Sequence, residues 1–191
     1  MTLVFATNNL NKLKEVQSLV PSHIRIKGLQ DIGCTEDIVE NAPTIEGNAI
    51  LKAQYVKDNF GYDCFADDTG LEVTALNGEP GVYSARYAGS QKNAQDNMNK
   101  LLKSLATKND RSARFKTVIA FAKGETITTF EGICPGHITK ERMGDGGFGY
   151  DPIFMPDGYD TTFAQMALPL KNKIGHRGKA MQLFLEALEK E

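Results

Sequence analysis

No tryptophan occurs in the 191 residues, and histidine and cysteine appear only three times each. Cys34, Cys64 and Cys134 are odd in number and far apart. That argues against a disulfide framework or a cysteine-rich zinc site and fits a reducing, cytoplasmic setting. No apolar run approaches the ~18 residues that a membrane span needs. The opening Met1–Ala6 lacks the basic region and long apolar core of a secretion signal. Neither sign of charge dominates: 22 Lys and Arg against 24 Asp and Glu leave a net charge of -2. No global basic field therefore recruits nucleic acid, and any bound anion must meet a local cluster. Also missing are the Gly-x-x-x-x-Gly-Lys-Ser/Thr loop, the Gly-x-Gly-x-x-Gly fingerprint and an evident serine or cysteine nucleophile motif. There is no internal repeat, low-complexity tract or long linker.

What is present suits a globular chain read as one domain over residues 1–191, built of two joined lobes. Leu3–Ala6 is a short apolar run, read as a buried first strand. The polar break Thr7–Asn11 follows. Leu13, Val16, Leu19 and Val20 then recur at helical spacing until Pro21 stops the helix. His23–Lys27 alternates and is read as a strand, and residues 28–47 as an acidic, turn-rich loop. The spacing predicts a helix from Asn48 to Lys57, ended by Asn59 and Gly61. Cys64–Ala66 reads as the end of a buried strand released by a turn at Thr69-Gly70. Ala94–Ala106 is an amphipathic helix. Ala113–Ala122 and Thr126–Ile133 form a hairpin, with a bulge or bend expected between Gly132 and Gly136. Strands alternating with helices predict an α/β fold, and the hairpin makes the sheet mixed.

Four stretches carry chemistry. The adjacent acids Asp67 and Asp68 close an apolar run, where charge is rarely buried unless paired or bound to a cation. Side chains alternate along a strand, so one acid is expected to face a site and the other to anchor the turn. A solvated turn with an Asx hydrogen bond is the plainer alternative. A hard divalent cation suits the site-facing carboxylate, and the acidic loop supplies a second acid or is simply solvated. Lys12 sits in the first turn of a helix, poorly placed against the helix dipole unless an anion is near. Alternatively Asn9 or Asn11 is an ordinary cap and Lys12 points to water.

Gly144–Pro152 combines four glycines with Phe148 and Tyr150. Such a loop lets backbone approach a ligand, and either ring could stack on a flat base; a plain glycine turn is the competing reading. Lys171, Lys173, Arg177 and Lys179 surround His176 before the last helix, again against the dipole. His176 is a better candidate than His23 or His137. Arg86, between Tyr83 and Tyr87, is read as a stacked structural arginine in preference to an anion contact. Phosphate sites, a cation and a planar ring together describe a nucleoside polyphosphate attacked in line by water.

These residues fall in an ordered set of motifs that resembles the inosine/xanthosine triphosphate pyrophosphatase family over essentially the whole chain. The motifs are Thr7–Lys12 with Glu15, Asn48–Ala53, Ala66–Leu71, Pro80–Tyr87, Gly147–Phe154 and His176–Ala180. Two positions depart from the pattern: Gly47 stands where a second Glu is frequent, and Gly175 where a Ser usually precedes His-Arg. The resemblance implies an elongated, two-lobed α/β domain with a long mixed sheet, a nucleotide cleft between the lobes, a homodimer and dependence on Mg2+. It implies hydrolysis of dITP, ITP and XTP to monophosphate and pyrophosphate. It makes Asp68 the proton acceptor and a metal contact, with Glu40 as second metal acid. Thr7, Asn8, Asn9, Leu10, Asn11, Lys12 and Lys171 would hold the triphosphate. Thr69, Phe148, Gly149, Tyr150, Asp151, His176 and Arg177 would contact the substrate, mostly at the base. A nucleotide-binding sensor without turnover is the rival of a different class; it has no need of a water-activating acid.

Overall fold

A computed structural model describes residues 1–190. Strand β1 (Thr2–Phe5) leads into helix α1 (Leu10–Leu19), and β2 (Arg25–Lys27) returns parallel to β1. Helix α2 (Ile45–Phe60) precedes β3 (Cys64–Val73), also parallel to β1. The two-residue β4 (Pro80–Gly81) pairs antiparallel with β3, and helix α3 spans Ala94–Ser104. Two long strands follow, β5 (Ser112–Lys123) and β6 (Thr126–Ile138), then β7 (Phe154–Pro156), antiparallel to β6. Helices α4 (Leu168–Ile174) and α5 (His176–Leu188) close the chain. The seven strands form one mixed sheet in the order β2-β1-β3-β5-β6-β7, with β4 off the path against β3. The α/β class and the mixed sheet therefore stand as expected. No helix among the described residues is long and apolar enough to cross a membrane.

The helix starts are set by local chemistry. Asn9 caps α1, its side chain accepting from Asn11 N at 3.0 Å and Lys12 N at 3.2 Å. Thr44 caps α2 by accepting from Gly47 N at 3.0 Å. Such caps satisfy backbone N–H groups that have no partner within the helix. Residue 47 lies where a Cβ would come within 2.8 Å of Ala42 Cβ and 3.0 Å of Thr44 Oγ1. Glycine there lets the acidic loop pack against the helix start.

The chain divides into two compact units, each with its own core. The first comprises residues 1–68, 117–132 and 177 onward. Its core gathers Leu3, Phe5, Val16, Ile24, Phe65, Ile119, Phe121, Met181 and Phe184. Phe5 and Phe65 stack there with ring centroids 4.6 Å apart. The second comprises residues 69–116 and 133–176. Its core includes Leu71, Met98, Leu101, Leu105, Phe115, Ile153, Phe154 and Phe163. Burial of apolar area on this scale, about 25 cal/mol per Å2, is the main stabilising contribution in each unit.

Three expectations are corrected. No turn occurs at Thr69-Gly70: β3 continues to Val73, because Leu71 and Val73 are fully buried and Leu71 pairs with Gly81 of β4. Strand β6 does not end at Ile133 but continues through Gly136 to Ile138. Helix α2 begins at Ile45, three residues before the predicted start, because Thr44 supplies the cap.

Candidate active site

Asp67 and Asp68 lie in the middle of β3, and the first unit surrounds them with cations. Asp67 is 1% exposed. Lys12 Nζ from the first turn of α1 donates to its Oδ1 at 2.8 Å. Arg177 Nε from the first turn of α5 donates to its Oδ2 at 3.0 Å. Arg177 Nη1 also donates to Glu15 of α1. The basic side chains that looked misplaced at two helix starts are thus matched by one buried carboxylate. A Glu15–Arg177–Asp67–Lys12 chain results. Burial alone would raise the Asp67 carboxyl, but Lys12, then Arg177 and Lys52, reverse this and hold it far below the usual carboxylate range. Burial would likewise lower Arg177, and Asp67 and Glu15 outweigh it. At Lys12 burial prevails and the ammonium is lowered, against Asp67 and with help from Lys52 and Arg177.

Asp68 has different partners, both from α2. Asn48 Nδ2 donates to Asp68 Oδ2 at 3.4 Å, and Lys52 Nζ lies 3.9 Å from Asp68 Oδ1. Lys52 also donates to Glu40 Oε1 at 2.8 Å and to the Asp67 carbonyl at 2.7 Å. Burial, the largest influence, raises the Asp68 carboxyl; Lys52 and Lys12 oppose the rise, while Glu40 and Asp67 add to it. Lys52 itself is raised, since Asp68, Glu40 and Asp67 together outweigh its burial. Two adjacent carboxyls are thus pushed in opposite directions, the pattern that separates a fixed charge from a proton-accepting group.

The remaining residues of the predicted phosphate loop arrange themselves around α1. Thr7 Oγ1 accepts from Asn9 N at 3.1 Å, and Asn8 Nδ2 donates to Asp37 Oδ1 at 3.3 Å. Leu10 and Asn11 are exposed at the helix start. Thr69 follows Asp68 in β3 and is half-buried.

The second unit organises the glycine-aromatic loop. Asp151 is 3% exposed, and its Oδ2 accepts from Phe148 N at 2.9 Å and from Lys171 Nζ at 2.6 Å. Lys171 Nζ also sits 4.9 Å from the centre of the Phe148 ring, in cation–π range. Gly147 has φ +68, and a Cβ there would collide with the Asp151 carboxylate. Of the two loop aromatics, Phe148 is half-exposed. Tyr150 is buried, its hydroxyl donating to Ser84 O at 2.7 Å. Gly149 has φ +61 between them. His176 is 4% exposed and stacks on Phe115, ring centroids 4.5 Å apart. Arg86 lies over the Tyr83 ring at 5.3 Å, as the stacked reading has it.

Within the first unit, then, Lys12 and Arg177 meet at Asp67, and Glu40 and Asp68 meet at Lys52. Within the second, Phe148, Asp151 and Lys171 converge. Sequence reading gave Asn48, Lys52 and Glu15 only a place in a motif. The available signal was spacing: residues 48 and 52 share one face of a helix, next to an acidic loop. Partners so distant along the chain left no local trace.

Among the described residues, no group of three or more His, Cys, Asp or Glu side chains is placed to hold a metal ion. What the site offers is two carboxylates, Asp68 and Glu40, drawn to one ammonium. This fits Mg2+, which takes one or two carboxylates and completes its shell with water and substrate phosphates. A zinc or calcium cage would demand more protein ligands.

Comparison with known proteins agrees with this geometry. The profile of the Ham1 family matches residues 3–187. A dITP/XTP pyrophosphatase of Flavobacterium johnsoniae is 62% identical over 188 residues, covering 98% of each chain. One of Christiangramia forsetii is 56% identical over 190 residues, covering 100% of each. Among solved structures, a Ham1 protein of Staphylococcus aureus superposes with a TM-score of 0.90 at 39% identity, covering 100% of this chain and 99% of that one. A HAM1 protein of Coxiella burnetii gives 0.91 at 36% identity, with both chains covered in full. The family resemblance drawn from the motifs is therefore sound: the chain belongs to the Ham1 family.

Proposed function

We propose that this chain hydrolyses the deaminated purine nucleoside triphosphates dITP, ITP and XTP, with dXTP, to the monophosphate and pyrophosphate. It would do so with Mg2+ as cofactor, as a cytoplasmic homodimer that clears such nucleotides from the pool. The names of the relatives, dITP/XTP pyrophosphatase, set the substrate class. The observation that carries the chemistry is the divergence of Asp67 and Asp68, one locked to Lys12 and Arg177, the other raised and facing Glu40 and Lys52.

Asp68 accepts a proton from water as the water oxygen bonds to the α-phosphorus. The bond from that phosphorus to the bridging oxygen breaks, and the oxygen leaves with pyrophosphate. Asp68 and Glu40 would hold the metal, which supplies charge to offset the negative charge developing on the phosphate oxygens. Lys12 adds a second positive charge, with Thr7–Asn11 and Lys171 also on the triphosphate. Lys52 places a positive charge between the two acids and opposes the rise that burial causes at Asp68. Thr69 contacts the substrate, Phe148 stacks on the base, and Gly149–Asp151 with His176-Arg177 read its edge. Hypoxanthine and xanthine present an acceptor at O6 and a donor at N1, and adenine reverses both. A pocket built for the first pattern leaves adenine with unpaired buried groups, worth about 10⁴-fold in rejection.

The test is product analysis. The protein is incubated with Mg2+ and ITP, dITP, XTP, GTP, ATP or dTTP, and pyrophosphate and orthophosphate are assayed separately. Pyrophosphate from the first three, with little from the others, is expected. Orthophosphate with a diphosphate product would move the attack to the γ-phosphate and overturn the mechanism. Binding of ITP without turnover would make the chain a sensor.

A further inference from the structure

Asn48 is an unusual residue for its place. It sits in the first turns of α2 with 0% exposure, and a buried amide is costly unless it finds partners. Both ends of its side chain are used. Oδ1 accepts from Ala42 N at 2.9 Å, in the loop that carries Glu40. That bond fixes the amide orientation, because only the oxygen can accept from a backbone N–H. Nδ2 is thereby aimed at Asp68 Oδ2, 3.4 Å away.

One turn further along α2, Lys52 repeats the arrangement. It reaches Glu40 Oε1 of the same loop and lies near the other oxygen of Asp68. Residues four apart project from one helix face. The face of α2 thus spans from the acidic loop to β3 by two parallel links, one neutral and one charged.

We propose that Asn48 is a positioning residue that fixes the Asp68 carboxylate against the Glu40 loop, so that the two acids face one another before substrate arrives. This rests on the activity proposed above and deepens it. Asn48 touches no reacting atom; it acts through Asp68 and through Ala42.

Two variants and two readouts test the assignment. Asn48→Leu removes both hydrogen bonds at similar volume. Asn48→Asp keeps the acceptor for Ala42 and removes the donor to Asp68. Amide hydrogen exchange, which needs no turnover, is expected to show Ala42 at least about tenfold faster in Asn48→Leu and near wild type in Asn48→Asp. With ITP, both variants should lose kcat by about 10- to 100-fold, the cost usual for residues that orient metal-site carboxylates, while KM changes less than about threefold. Unchanged kcat in Asn48→Asp would overturn the proposal, and so would unchanged Ala42 exchange in Asn48→Leu. If Asn48→Leu fails to fold, the kcat of Asn48→Asp alone decides. An inactive wild-type protein would refute the proposed activity; the Ala42 exchange would then still decide whether Asn48 ties the loop down.

Discussion

Asp67 and Asp68 are neighbours in one strand, yet their side chains answer to different helices. Lys12 of α1 and Arg177 of α5 grip Asp67 at 2.8 and 3.0 Å, whereas Asn48 and Lys52 of α2 approach Asp68 at 3.4 and 3.9 Å. Alternation along the strand sends consecutive side chains to opposite faces, and the partners available on each face decide which acid is held as a charge and which is left able to take a proton.

Asp68→Asn is therefore expected to abolish pyrophosphate release from ITP while nucleotide binding, followed by calorimetry, stays within about tenfold of wild type. An equal loss of binding would confine Asp68 to holding the metal.

Replacing Arg177 by alanine leaves Asp67 and Glu15 buried with one cation fewer. Breaking a buried pair from one side costs about 3–5 kcal/mol, and urea unfolding should show a loss of that order. Arg177 also stands as a proposed base contact. In a variant rescued by low temperature, ITP should weaken far more than tripolyphosphate; equal weakening would move Arg177 to the phosphates.

Acid should unfold the protein partly through Asp67. Its folded carboxyl lies below the unfolded value of about 3.9. A depressed acid contributes stability that is complete above the unfolded value and lost as pH falls toward the folded one. Unfolding free energy measured from pH 5 downward should decline in the wild type below about pH 4. In Asp67→Asn that particular slope should be missing, on a lower plateau. Identical slopes would show that other carboxyls carry the acid sensitivity.

Gly147→Ala should damage the proposed base platform without touching Asp68 or Glu40. The added Cβ meets the Asp151 carboxylate, and φ +68 costs a non-glycine residue about 1–2 kcal/mol. Because Asp151 also holds Phe148 N and Lys171, the loop must shift. The expected result is a KM for ITP raised about tenfold, with hydrolysis of the bound nucleotide slowed less. A fall in kcat alone would contradict a role in binding.

Much of the fold was legible because its signals are local. Pro21 ends α1, Met98 and Leu101 mark the buried stripe of α3, and the hairpin of β5 and β6 turns at Gly124-Glu125. The errors have a common source. Thr69-Gly70 has turn chemistry, and only the burial of Leu71 and Val73 in a sheet overrides it. The site was half legible for the same reason. A lysine or arginine at a helix start signals that a counter-charge exists, but not where. Lys12 and Asp67 are 55 residues apart, Arg177 and Asp67 110. The pairing that answers these charges belongs to the folded chain.

The four-residue interval between Asn48 and Lys52 carries an evolutionary corollary. Each residue inserted into or removed from that interval would rotate the second side chain by about 100° about the helix axis and carry it off Asp68. Side chains in between are free to vary in kind as packing permits, but their number is fixed. Length changes should be purged inside the first two turns of α2.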